Sequence, residues 1–341
     1  MMNKFGKQLE EFLKFKNISN KEFAERINTT PKNLIDIIKG DIELSQNMIY
    51  NISFVTDIPV SYIENVERNF KMDKVINEYL DKNKLTIKEY INKFNYKEFS
   101  KEYEVQFTDE RDEYYIAKDI LRYLRITNPD SLYKEDNSIF YKSKNDKPEL
   151  LSLWLERCYR VVSNQEVKEY KKENIDVLVD YIRECARNNI FNEKELISKF
   201  NDNGIFLAIE NDLKGTKIRG AFKILNDKPA IYITKKHKRY ADIYFALLHE
   251  LAHCKSDFNR AKKGSIISTE EDSTEDYEIK ADNTAYNWMI NDKEYSKLKY
   301  CYNAIDELDV IKCFYVYRLA KDGVISYKSK VYQENNKLIE E

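Results

Sequence analysis

The five residues His249-Glu250-Leu251-Ala252-His253 constrain this chain more than any other stretch. Histidines four apart can meet one metal ion only on a helix, where i and i+4 lie on one face about one turn apart. The glutamate beside the first histidine is then placed to take a proton from a metal-bound water. With three histidines in 341 residues, H-E-x-x-H arises by chance on the order of a few times in a thousand. Its surroundings agree. Ile243 to Leu248 is apolar, as for a helix crossing a core. Ala230-Ile231-Tyr232-Ile233-Thr234 before it is β-branched and aromatic, bounded by Pro229 and by the basic run 235–239, which predicts a strand.

A catalytic metal site uses about three protein ligands and leaves one position open. The downstream acids are Glu270, Glu271, Asp272, Glu275, Asp276, Glu278 and Asp282. Glu278, Ala281, Asp282 and Ala285 fall at i, i+3, i+4 and i+7, one helical face, and the alanines allow close approach to the first helix. Glu278 is therefore the expected third ligand, with Glu275 as the alternative. Asp282 is placed to accept the free ring N–H of a ligating histidine and fix its tautomer. Glu-x-x-x-Asp after H-E-x-x-H resembles the gluzincin pattern, and a strand leading into a metal-binding helix resembles the zincin arrangement. In such enzymes the strand commonly lines the cleft and pairs with an extended substrate, which puts 230–234 in that role.

The chain is 34% charged and 42% hydrophobic with net charge −2, the balance of a globular protein of two or three domains. It has no apolar run of bilayer length, and residues 1–11 lack a signal-peptide core, so no membrane partner is expected. Cysteines 158, 185, 254, 301 and 313 are odd in number and unpaired in spacing, pointing to a reducing cytoplasm. Cys254 adjoins His253, yet a helix turns it about 100° away, making it a core residue.

Three segments are expected: 1–70, 71–165 and 166–341. In the first, Ser19 with Glu22 forms a capping-box pattern, Thr30 and Pro31 open a helix ending at Gly40, Ser45 caps a fourth helix and Pro59 begins a fifth. The segment 71–165 reads as helical and Tyr-rich, with no glycine between Gly40 and Gly204 and a polar loop at 142–147. From 166 on, two helices precede strands at 205–209, 221–224 and 230–234, read as an antiparallel meander. The metal helices follow, separated by the polar stretch 255–273, long enough for a mobile lid. A helix near 310–320, a strand at 324–327 and a charged tail end the chain. The fold class is thus α+β, mostly helical, with a small antiparallel sheet and two metal-binding helices.

Phe23 to Gly40 resembles the helix-turn-helix of the XRE (Cro-like) family, especially antitoxins that regulate their own operons. That resemblance implies that Thr30, Pro31, Lys32, Asn33 and Asp36 face a DNA major groove, with a double-stranded operator as partner and paired half-sites if the domain forms a homodimer. Against this, residues 1–70 hold nine Lys/Arg and ten Asp/Glu, whereas phosphate-binding domains are usually basic. The alternative is a module for protein recognition or dimerisation. Gly220, 228–233, 242–253 and 278–285, with Trp154 to Arg157 and Tyr317 to Ile325, resemble the ImmA/IrrE metallopeptidases. That resemblance implies one divalent metal on His249, His253 and Glu278 (zinc foremost, manganese the alternative), Glu250 as general base, and helix-turn-helix repressors as substrates. A second stabiliser of the tetrahedral oxyanion is expected, with Tyr240, Tyr277, Tyr286 and His237 as candidates. The leading expectation is a cytosolic metallo-endopeptidase cleaving a repressor. The competing one is a DNA-binding regulator or antitoxin whose peptidase-like region acts as a sensor or cleaves itself.

Overall fold

The computed structural model describes residues 4–107, 112–133, 147–269 and 274–339. It is 63% helical with one four-stranded sheet, the α+β, mostly helical class expected. Two compact units emerge, one of Met1–Tyr90 with Thr108–Arg122 and Thr127–Pro129, the other of Ile91–Phe107, Tyr123–Ile126 and Asp130–Glu341. Segment 71–165 contributes to both.

The first unit begins with α1 (Lys4–Lys16), α2 (Asn20–Arg26), α3 (Pro31–Lys39), α4 (Gln46–Thr56) and α5 (Val60–Asn83), which runs unbroken through residue 70. Side-chain oxygens of Ser19, Thr30 and Ser45 accept the third-residue N–H of α2, α3 and α4, satisfying donors that a helix start leaves orphaned. Gly40 ends α3 in the left-handed region at φ 81°, where a side chain would be strained. Phe5, Leu9, Phe23, Leu34, Ile52 and Ile63 are fully buried in an apolar core.

α6 (Ile87–Lys93), α7 (Tyr96–Tyr103), α8 (Glu113–Tyr123) and α9 (Pro148–Val162) follow. Of the expected polar loop 142–147, residues 142–146 lie outside the described residues. The second unit continues with α10 (Asn174–Asn188), α11 (Glu193–Asp202), β1 (Phe206–Glu210), β2 (Ile218–Leu225), β3 (Lys228–Thr234), α12 (Tyr240–Ser256), α13 (Phe258–Ala261), β4 (Ile266–Thr269), α14 (Asp276–Met289), α15 (Asp292–Leu298), α16 (Lys312–Lys321) and α17 (Lys330–Asn335).

The strand order is β1-β3-β2-β4. The expected meander is corrected: β1 lies parallel beside β3, and only the β3–β2 and β2–β4 pairings are antiparallel. Alternation of apolar residues marks a strand but not its neighbour, so β1 was legible and its pairing was not. β3, the expected substrate strand, is paired on both sides and has no free edge for a peptide. β1 and β4 are the two edge strands, and β4 lies beside β2. It occupies part of the stretch expected to be a lid; with α13 it leaves that stretch structured through Thr269, while 270–273 lie outside the described residues. Residues 324–327 form turns rather than a strand.

β3 is apolar along almost its whole length because both sheet faces are covered. Ile231 and Ile233 share one core with Phe222, Phe245 and Leu248. The neighbouring Tyr232 meets the edge of Trp154 from α9, ring centroids 6.4 Å apart. α12 is buried on all sides, from Tyr240 through Cys254 apart from the half-buried Asp242. It is the axis of the unit, wedged between the sheet, α10, α14 and α16.

Candidate metal centre

α12 enters the core without a side-chain cap of its own. The tail supplies one instead. Fully buried Asn336, just after α17, accepts the Ala241 N–H through Oδ1 at 3.0 Å and donates to Asp242 at 3.1 Å. The contact joins residues 95 apart, so no local pattern could have signalled it. It anchors the start of the helix that carries the histidines.

His249 and His253 are fully buried, and their Nε2 atoms lie 3.0 Å apart. Glu278 on α14 faces both, with Oε2 3.2 Å from His249 Nε2 and Oε1 3.2 Å from His253 Nε2. Ala281 and Ala285, both buried, let α14 come this close. The outer ring nitrogens are taken: His249 Nδ1 is 2.7 Å from Asp282 Oδ1, and His253 Nδ1 is 3.0 Å from Asp257 Oδ2. With each Nδ1–H donated to a carboxylate, both Nε2 lone pairs point inward at a third anionic ligand. Three electron-pair donors converging in a buried space repel one another unless a cation sits among them. The donor set, two imidazoles and a carboxylate, suits a divalent ion such as zinc, and these three residues form a group able to hold one.

The charge states agree. Burial alone would lower the His253 pKa, but hydrogen bonds to Asp257 and Glu278 raise it to about 9. Burial would raise that of Glu278, yet hydrogen bonds from the two histidines bring it to about 2. In the metal-free chain a proton thus occupies the place a cation would take. Asp282 follows the same pattern: burial opposes ionisation, and His249 and then Arg219 hold its carboxyl below the usual range.

Glu250 is fully buried and neither carboxylate oxygen has a hydrogen-bond partner. Burial raises its pKa; the charges of the two histidines oppose the rise and the Glu278 carboxylate adds to it. An unpartnered buried carboxylate is costly, and a raised pKa beside a metal group fits a proton acceptor. Gly220 on β2 makes the space for it. A Cβ there would stand 2.4 Å from Glu250 Oε1 and 2.9 Å from the Tyr232 carbonyl oxygen, so only glycine fits.

Three neighbours of the site stand outside the sequence motif. Asp257 follows His253 by four residues, the one-turn spacing that marks a partner in sequence. Ser268 on β4 places Oγ 3.0 Å from His249 Nε2. Arg219 sits at a bulge where the β2–β4 register shifts between Ile218 and Gly220, and bulges re-aim side chains. Its Nη2 lies 3.3 Å from Asp282 Oδ1 and 3.4 Å from His249 Nδ1, and its guanidinium stacks 4.9 Å from the Phe245 ring.

The other expected site residues fall in different places. Glu275 is exposed at the N-cap of α14, outside the ligand group. Among the four oxyanion candidates, Tyr277 is nearest, its ring 5.9 Å from that of His253. Tyr286 stacks on Phe245 at 4.8 Å, one turn before the ligands. Tyr240 stands nine residues before His249, about 13 Å along the helix axis, and stacks on Tyr244. His237 is exposed in the loop before α12. Cys254 is buried and bonds to the Tyr170 hydroxyl at 3.4 Å. In the first unit, Thr30, Pro31 and Lys32 are exposed at the start of α3, and Asn33 and Asp36 are half-buried. Asn33 Nδ2 donates to Thr29 Oγ1 at 2.8 Å.

A family model described as Peptidase U49 matches residues 227–305, the span from β3 through α12 and α14 to just beyond α15. No curated protein and no solved structure gave a significant match. No helix among the described residues is long and apolar enough to cross a membrane. The matched span contains both histidines, Glu250 and Glu278, and the C-terminal region of this chain is accordingly a peptidase domain.

Proposed function

We propose that the chain is a metal-dependent endopeptidase of the cytoplasm, with His249, His253 and Glu278 as metal ligands and Glu250 as general base. The observation that carries this reading is the convergence of both Nε2 atoms and the Glu278 carboxylate beside an unpartnered buried Glu250. A bound divalent ion supplies Lewis acidity for peptide hydrolysis. Glu250 accepts the proton of the attacking water and returns it to the departing amine. Asp257 and Asp282 hold the imidazoles in the tautomer that presents Nε2. Of the two edge strands, β1 and β4, it is β4 that carries Ser268 of the site and is offered to an extended substrate, since β3 is paired on both sides.

The substrate class in this proposal is a helix-turn-helix repressor, and α3 is the element offered to an operator through Thr30, Pro31 and Lys32. The test is incubation of the purified chain with the helix-turn-helix proteins encoded beside it. Wild type cleaves one of them, and Glu250→Gln loses about 10²–10⁴ of the rate while keeping fold and metal. Unchanged cleavage by Glu250→Gln would overturn the assignment of the base.

A further inference from the structure

A cavity lies beside the metal centre, and its chemistry is not that of peptide hydrolysis. It encloses 770 Å³ against the flank of α12 that carries Asp242, Ile243 and Ala246, one turn before His249 and Glu250. Six cationic side chains line it: Arg219, Lys236, Lys238, Arg239, Lys321 and Lys328. Asp242 is the one acid among its described lining residues, and its carboxylate is already engaged by Asn336 and Tyr332. Arg239 spends its hydrogen bonds on the neutral oxygens of Asn336 and Gln333. The chain as a whole is slightly acidic, net −2, so this concentration of positive charge is local.

Two observations point to a small occupant. The volume lies within the range of small-molecule sites and far below that of a folded partner. The walls also include Tyr327, an exposed aromatic side chain backed by the buried Tyr332 at 5.2 Å between ring centroids, which sets an aromatic surface beside the cations. Lysines and arginines recognise phosphate, and an aromatic face accepts a planar ring. Arg219 joins the cavity to the metal centre: it lines the cavity wall, while its Nη2 is held by Asp282.

We propose that this cavity binds a small phosphate-bearing ligand of nucleotide size, with Lys236, Lys238, Lys321 and Lys328 receiving the phosphates, Tyr327 the planar ring, and Arg219 forming the inner wall. Arg219 braces Asp282 against His249, so the bound ligand touches the residue that orients a metal ligand. The site is independent of the peptidase reading, and its test uses no peptidase assay.

The experiment is calorimetric titration of the full chain with ADP in millimolar magnesium, which limits chelation by the nucleotide at the His-His-Glu group. The expected result is saturable binding at one site, displaced by pyrophosphate. Lys321 and Lys328 are exposed, and the double variant Lys321→Glu/Lys328→Glu, its fold checked by circular dichroism, should bind about tenfold more weakly or worse. Absence of ADP binding up to millimolar concentration, failure of pyrophosphate to compete, or wild-type affinity in the folded double variant would each overturn the assignment.

Discussion

The two ends of the molecule solve the same problem, the start of a helix, in opposite ways. α2, α3 and α4 each begin with a serine or threonine whose oxygen caps the backbone three residues on. α12, the helix of the metal centre, has no such cap and depends on Asn336 from the far end of the chain. Cores differ in the same direction. The first unit buries Thr56, Glu67 and Lys118 singly, each on its own partner (the Ile52 carbonyl, the Leu44 N–H and Asp73), while the core around α12 gathers His249, Glu250, His253, Glu278 and Ser268, all buried. Local rules hold where folding is the only demand. They are broken where charge must be gathered and kept from water, and such breaks mark functional sites.

The contrast can be tested first through pH. In the metal-free protein His253 is raised from 6.5 to about 9. Its contribution to stability is complete below pH 6.5 and is lost as pH rises through 9. Glu278, lowered from 4.5 to about 2, contributes stability that is present above pH 4.5 and lost as pH falls through 2. Both shifts report largely the same ion pair, so they are counted once, at up to about 3 kcal/mol. Urea melts of chelator-treated protein should show the peptidase region losing stability between pH 6.5 and 9. A flat profile there would break the picture of a proton standing in for a cation.

A smaller effect separates the ligands from their supports. Asp257→Ala leaves all three ligands in place but frees His253 Nδ1, and metal affinity should fall about 10–100-fold. Competition with a chromophoric chelator measures this, and an unchanged affinity would remove Asp257 from the site. The smallest effect belongs to the other end of the molecule. Thr30→Ala removes a surface cap and should cost about 1 kcal/mol in a denaturant titration, with metal content untouched. A loss of metal in that variant would dissolve the distinction between the two regions.

What was legible in the sequence follows the same division. Ser19, Thr30, Ser45 and Gly40 act within three or four residues of themselves, and the structure uses all four as the sequence predicts. His249, His253, Glu278 and Asp282 were readable as positions because helical periodicity puts them on facing stripes. The sheet order was not, since alternation says nothing of which strand lies alongside. Arg219 and Asn336 were invisible for a different reason: each acts across dozens of residues, one aimed by a bulge and the other by a tail that composition presents as merely charged. Gly220 stands out in sequence only through a resemblance, and its physical cause, the room required by Glu250, needs the packed helix and sheet together.

The central claim is that three buried side chains from α12 and α14 hold one divalent ion. Metal analysis of the purified protein beside Glu278→Ala and Glu275→Ala tests it directly. The account predicts about one equivalent of a divalent ion in wild type and in Glu275→Ala, and loss of most of it in folded Glu278→Ala. Full metal content in Glu278→Ala would contradict it.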